Sequence, residues 1–213
     1  AFAALDDQGK VYAWGNVNSG GFGGPNVATE VTISGGILHD IVQIYSTAVA
    51  FAALDNEGRV YAWGDQTFGG FNSTTEARKI TYLSGDVITN IVQIYSTSRA
   101  FAALDKDNYV YAWGDQGYGG FGDISYAKKV KINPDISNII QIFNTERAFA
   151  ALDRYGLVYA WGDVSYGGFG GPSVATQLND TFKIISNNFI NYNYRPIQAP
   201  ESEPEPEPEP EPE

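Results

Sequence analysis

The chain has 213 residues and a formal net charge of −12, with no cysteine and no methionine. Disulfides, thiolate catalysis and cysteine-based zinc sites are thereby excluded. Seven of the acids lie in residues 201–213, leaving 18 acids against 13 bases elsewhere. Such a body lacks the positive footprint that nucleic-acid binding requires. No run of 18 apolar residues is present, so no membrane-spanning helix is expected. A sequence without methionine is expected to be a processed form, an excerpt of a longer protein or a map-derived sequence.

In chain order the first element is AFAALDDQGKVYAWGN from Ala1, and it returns three times. The copies are AFAALDNEGRVYAWGD from Ala50, AFAALDKDNYVYAWGD from Ala100 and AFAALDRYGLVYAWGD from Ala148. Trp14, Trp63, Trp113 and Trp161 mark the four units, at spacings of 49, 50 and 48 residues. Self-similarity at this period signals a repeat architecture.

Within each unit, a run such as Ala50–Leu54 is small and apolar, suited to a strand buried on both faces. Asn56-Glu57-Gly58 reads as a turn, and Arg59–Gly64 as the returning strand. Gly9, Gly58 and Gly156 supply the positive φ that this hairpin needs, with Asn108 in the third unit. A glycine-rich loop follows (NSGGFGG, TFGGFNS, GYGGFGD, SYGGFGG), then a variable stretch expected to hold one short helical turn. A second apolar strand comes next: Ile41–Tyr45, Ile91–Tyr95 and Ile139–Phe143. Its imperfect alternation is read as coverage of both faces. Phe182–Ser186 matches this strand in character, after which the pattern decays.

The signature A-A-L-D-x-x-G-x-V-Y-A-W-G-D, carried by Ala52-Ala53-Leu54, Gly58, Val60-Tyr61, Trp63-Gly64-Asp65 and Gly69, resembles the repeat of the regulator of chromosome condensation family. The resemblance covers residues 1–190 and implies a four-stranded β-propeller blade per unit. The Gly-Gly-Phe loop, where the family has Gly-Gln-Leu-Gly, is similar to divergent repeat proteins of bacteria and large DNA viruses. The expected fold is therefore all-β: a β-propeller-like array of four blades over residues 1–198. The family usually closes with seven blades. Three arrangements stay open: a closed four-blade ring, a partial ring completed by other copies, or an excerpt of a longer array. If the ring closes within one chain, the N-terminal strand would complete the last blade and remove a free sheet edge. Nucleotide exchange on a small GTPase, found in some family members, depends on an inserted wedge with no counterpart here.

Residues 199–213 form a Glu-Pro tail biased to polyproline II. Its last eleven residues would span roughly 34 Å at about 3.1 Å each. It reads as a spacer for surface display or as a solubilising end.

Asp6, Asp55, Asp105 and Asp153 recur before the hairpin turn. They read as turn-starting residues, the alternative being a ring of cation-binding carboxylates. Asp65, Asp115 and Asp163, with Asn16, follow Trp-Gly and read likewise as turn-shaping; lining one end of a ring is the second reading. The pairs Gly20-Gly21, Gly69-Gly70, Gly119-Gly120 and Gly167-Gly168 lack the lysine and helix of a phosphate cradle. They are expected to let backbones approach between blades. Phe22, Phe71, Phe121 and Phe169 would pack in those interfaces or form an exposed aromatic ring. These phenylalanines, with Asp65, Asp115 and Asp163, are the candidate ligand-binding residues. His39 is a lone loop residue, and Tyr12, Tyr61, Tyr111 and Tyr159 are read as core. No catalytic set, metal site or cofactor is expected. The expected role is non-catalytic protein interaction or structural assembly, displayed on a cell surface or virion, with a protein or further copies of the chain as partner. A lectin-like glycan-binding module is the alternative; glycoside hydrolysis and nucleotide exchange rank lower.

Overall fold

The computed structural model describes residues 1–22, 26–71, 76–82, 84–122, 127–130, 138–169 and 175–178. The first unit contributes β1 (Phe2–Leu5), β2 (Val11–Trp14) and β3 (Thr29–Glu30), followed by a small hairpin of β4 (Thr32–Ile33) and β5 (Gly36–Ile37). The second unit holds β6 (Ile41–Ser46), β7 (Ala50–Asp55), β8 (Val60–Gly64) and β9 (Arg78–Lys79). The third holds β10 (Ile91–Ser96), β11 (Ala100–Asp105), β12 (Val110–Gly114) and β13 (Lys128–Lys129). The fourth holds β14 (Ile139–Asn144), β15 (Ala148–Asp153), β16 (Val158–Gly162) and β17 (Thr176–Gln177).

Each of the last three units is one four-stranded antiparallel sheet whose spatial order follows the sequence; β1, β2 and β3 make a three-stranded version. The repeat fixes the register. Phe51, Phe101 and Phe149 lie opposite Trp63, Trp113 and Trp161, and the rings stack at 5.2–5.3 Å. Phe182–Ser186, the run expected to complete a blade with the N-terminal strand, and the Glu-Pro tail lie outside the described residues.

The core lies between sheets rather than within one. Strand side chains alternate faces. Phe51, Ala53, Tyr61 and Trp63 face the first unit and share a cluster with Val11 and Ala13. Ala50, Ala52, Leu54, Val60 and Ala62 face the third, packed on Phe101, Ala103, Tyr111 and Trp113. The third and fourth units repeat the pattern. One side of every sheet is thus small and aliphatic, the other aromatic, and the two mate. This explains why AFAALD is buried along its full length in β7 and β11.

The second apolar strand departs from the sequence reading. Its broken alternation is a β-bulge: the register slips between Ile41 and Gln43, and again at Ile91/Gln93 and Ile139/Gln141. The extra residue, Val42, Val92 or Ile140, is exposed rather than covered on both faces, as expected for a residue left outside the ladder. The helical turn is also displaced. A 3₁₀ turn occupies Val17–Ser19, Gln66–Phe68, Gln116–Tyr118 and Val164–Tyr166, directly after Trp-Gly and the cap residue. In the second and third units the variable stretch instead supplies the two-residue outer strands β9 and β13, rich in Lys and Arg. Short basic edges of this kind resist edge-to-edge pairing.

Four sets of backbone and side-chain bonds join consecutive sheets. The indole Nε1–H of Trp63, Trp113 and Trp161 donates to the carbonyls of Gly20, Gly69 and Gly119 of the preceding unit, at 3.0–3.1 Å. Between the inner turns that join β6 to β7, β10 to β11 and β14 to β15, Ala48 N–H donates to Ser98 O and Ser98 N–H to Glu146 O. At the opposite end of the strands, Ile41 N–H donates to Gly9 O and Ile91 N–H to Gly58 O. On the outside, Ala77 N–H donates to Thr32 O and Ala127 N–H to Thr81 O.

At Gly69, φ is +91°, and an added Cβ would sit 2.7 Å from the Phe101 ring. Gly69→Ala should therefore destabilise the fold by about 2–4 kcal/mol, combining left-handed strain with overpacking. Trp113→Phe should cost about 1–3 kcal/mol by leaving the Gly69 carbonyl buried without its donor. Urea denaturation of both variants against wild type checks these values.

Candidate functional site

The recurrent carboxylates serve the backbone. Asp105 is buried, and its Oδ1 accepts from Asp107 N–H at 2.9 Å and Tyr109 N–H at 2.8 Å, closing the hairpin turn. Its Oδ2 accepts from Tyr111 Oη at 3.1 Å. Asp6, Asp55 and Asp153 repeat the arrangement with Tyr12, Tyr61 and Tyr159. Asp55 also accepts from Arg59 Nε at 2.6 Å. The turn-starting reading of these residues is what the structure displays. Among the described residues, no group of three or more His, Asp or Glu side chains could hold a metal ion.

Asp65, Asp115 and Asp163 cap the 3₁₀ turns. Their Oδ1 atoms accept from Thr67, Gly117 and Ser165 N–H at 2.8 Å, as N-cap side chains do. Asn16 does the same for Asn18. Two of these carboxylates also lie beside an arginine: Asp115 Oδ2 is 3.7 Å from Arg99 Nη1, and Asp163 Oδ2 is 3.8 Å from Arg147 Nη1.

These arginines organise one face of the array. The Arg99 guanidinium lies over Phe68 of the second unit at 4.7 Å and over Tyr118 of the third at 4.8 Å. Arg147 lies over Tyr118 at 5.0 Å and over Tyr166 of the fourth at 4.5 Å. The result is an alternating row, Phe68–Arg99–Tyr118–Arg147–Tyr166, that crosses two joints. Each cation–ring contact is worth roughly 0.5–1 kcal/mol at exposed sites. The arginine side chains remain 41% and 34% exposed.

Beside this row lies a depression of about 300 Å³ lined by Ser46, Thr47, Ser96, Thr97, Asn144 and Thr145, among others. Its threonines act as staples. Thr47, Thr97 and Thr145 Oγ1 donate to the carbonyls of Phe68, Tyr118 and Tyr166 and accept from Ala50, Ala100 and Ala148 N–H. They tie the inner turn of each sheet to its 3₁₀ turn.

The four phenylalanines divide. Phe22 is buried in the joint between the first two units, Phe71 and Phe121 pack against the next two joints, and Phe169 is exposed. The first glycine of the pairs at 20, 69 and 119 lies against the next unit's Phe-Trp stack. The second lies against its own unit, an added Cβ at Gly70 meeting Gly64 at 2.4 Å. Close approach between blades therefore belongs to the first glycine only. His39 is exposed and bonded to Asp40. Arg99, Arg147 and the three threonines were not singled out from the sequence. Their signal is the recurring Thr three residues before AFAAL, and the Arg directly before it in two units.

Antiparallel four-stranded sheets arranged face to face, inner strands side by side, are the blades of a β-propeller. No protein-family model and no curated protein matches the sequence. Solved structures do match. Human WBSCR16 is 20% identical with a TM-score of 0.55, the match covering 82% of this chain and 50% of that one. Prp20p of Saccharomyces cerevisiae is 22% identical with a TM-score of 0.52, covering 85% and 50%. The yeast RCC1 (Prp20) structure with Kap60 is 21% identical with a TM-score of 0.54, covering 85% and 49%. The fold is that of regulator-of-chromosome-condensation-type propellers, and the chain spans about half the length of those it matches.

Burial pushes the Tyr61 phenol up to about 12, with the Asp55 carboxylate adding to the rise; Tyr111 and Tyr159 are raised as well, again chiefly by burial. The folded chain then holds more protons than the unfolded chain above a phenol's usual pKa of about 10. This contribution is fully present below about pH 10 and is lost as pH rises through about 12. Denaturation midpoints should fall across that window, and less steeply in Tyr61→Phe.

Proposed function

We propose that the chain is a non-catalytic propeller module that binds a protein partner through the Phe68–Arg99–Tyr118–Arg147–Tyr166 face. The supporting observation is this row itself, half-exposed arginines held between aromatic rings beside a polar depression. Arginine and tyrosine are enriched at energetic centres of protein interfaces. Their stacking fixes the guanidinium planes before contact, which lowers the ordering cost of binding. A protein partner also accords with the structural relatives: Prp20p is described with binding properties toward Gsp1p and histones, and yeast RCC1 with Kap60 bound.

The recurrent carboxylates favour a non-catalytic role because each holds a backbone N–H of its own turn, most of them with a tyrosine or arginine on the second oxygen. A lectin-like reading retains one support, the tyrosine rings of the same face, which could stack on sugars. The buried Phe22 offers it nothing.

The test is quantitative affinity capture with the wild-type chain and an Arg99→Ala/Arg147→Ala variant, run beside a glycan array. A discrete protein retained by wild type and reduced at least roughly tenfold by the variant is expected, the size of a central interface truncation. Glycan binding lost on Tyr118→Ala would move the assignment to a lectin. Hydrolytic turnover abolished by Asp115→Asn would move it to an enzyme.

A further inference from the structure

The depression on the arginine face holds polar groups that the fold leaves unused. Its walls come from three consecutive units. Thr47, Thr97 and Thr145 are committed to their staples, and Ser98 Oγ donates to the Glu146 carbonyl at 3.0 Å. Ser46, Ser96 and Asn144 differ. They end β6, β10 and β14, directly before the stapling threonines. Their side chains make no hydrogen bond among the described residues. Asn144 is only 7% exposed, and it lines the depression. A carboxamide buried to this extent is ordinarily hydrogen-bonded. The chain supplies this one with no partner.

Charges around the depression cancel. Arg99 lies beside Asp115, and Arg147 beside Asp163 and, at 3.5 Å, Glu146. Glu146 is the one charged residue among the lining residues, and its carboxylate is already beside Arg147. Neither an acidic nor a basic group is drawn in. The ligand is therefore uncharged where it enters.

A carboxamide offers an acceptor and two donors in one plane, and a hydroxyl both donates and accepts. Their complement is a neutral group that carries donor and acceptor together, as a peptide group does. An extended chain repeats that pair at every residue, about 3.3 Å apart. One strand can thus meet groups set on successive units, whereas a compact ligand reaches fewer of them. A volume of about 300 Å³ lies at the small end of ligand sites. It admits a short stretch of chain rather than a folded element.

We infer that the depression seats an extended, uncharged segment of the protein partner, whose main-chain amides bond to Asn144, Ser96 and Ser46. The inference rests on the partner-binding reading of this face and adds the partner's chemistry to it. Main-chain bonds of this kind supply affinity in peptide recognition.

The experiment is selection of a phage-displayed library of linear peptides on the 213-residue chain, followed by titration of the enriched peptides. Uncharged residues are expected at their shared positions. Their affinity should change less than about twofold between low and high salt, because screening acts on charges. Asn144→Ala should weaken them at least roughly tenfold. Circular dichroism and melting should stay at wild type, since the lost side chain bonds to nothing in the fold. The Asn144 side-chain amide resonances, identified by their absence in that variant, should shift when peptide is added. Should Asn144→Ala lower the melting temperature, Ser96→Ala takes its place and should weaken the same peptides. No enrichment, peptides indifferent to both substitutions, or an acidic, salt-sensitive consensus overturns the inference. A neutral oligosaccharide bound in an Asn144-dependent way overturns it too. A partner captured through Arg99 and Arg147 that ignores Asn144→Ala sinks this inference and leaves the face reading standing. Asn144-dependent peptides bound equally well by Arg99→Ala/Arg147→Ala uphold the depression and count against the arginine row.

Discussion

The structure depends on the contact between a glycine of one unit and the tryptophan of the next. An indole buried in a joint must find an acceptor for its N–H, because an unmet donor there costs roughly 1–3 kcal/mol. Its own sheet offers none, since those carbonyls are taken by the strand ladder. The acceptor is the carbonyl of Gly20, Gly69 or Gly119, and it comes within reach because the glycine has no side chain to hold the rings away. The residue that defines a unit is thus satisfied by its neighbour. No single sheet can bury its own faces, and stability accrues joint by joint, as in other repeat arrays.

Around this contact, polar side chains are spent on turns. Each Asp before the hairpin holds two backbone N–H groups and one tyrosine; each Asp after Trp-Gly starts a 3₁₀ turn; each Thr before AFAAL links that turn to the inner loop. The threonine and cap bonds hold the inner loops and the 3₁₀ turns together on one face, at the opposite end of the strands from the hairpin Asp residues. The arginines lie there with their planes fixed between rings. The geometry of that face follows from the fold, since Phe68, Tyr118 and Tyr166 recur at one repeat position and Arg99 and Arg147 at another.

Much of this was legible in the sequence. The hairpins, the left-handed glycines and the turn-starting Asp residues follow from local chemistry that four copies state four times. The bulge at Val42, Val92 and Ile140 was not, because an apolar residue outside the ladder looks the same in sequence as one covered on both faces. Nor was the left-handed backbone at Asp40, Asn90 and Asn138 that precedes it, although Asx is the type that tolerates it. The Arg–aromatic row escaped notice for a different reason. Its members sit about twenty and thirty residues apart, and their meeting across a joint depends on sheet stacking that local pattern does not encode. The candidate phenylalanines illustrate the converse: four identical letters in one loop, yet Phe22 is buried in a joint with the next unit and Phe169 is exposed, because burial is set by packing between sheets and not by the loop's own sequence.

The near-identity of the hairpins carries a hazard during folding. A tryptophan face recognises a glycine turn, and nothing in that recognition distinguishes one copy from another, so a nascent unit can dock on the wrong neighbour or on another chain. The positions that differ between copies then act as address labels. Val49 stands where Arg99 and Arg147 stand in later units, and Ser19 stands where Phe68, Tyr118 and Tyr166 do. A guanidinium between two rings rewards a correct adjacency that Ser19 and Val49 cannot imitate. Sequence drift among repeats, on this view, is what keeps the copies in order.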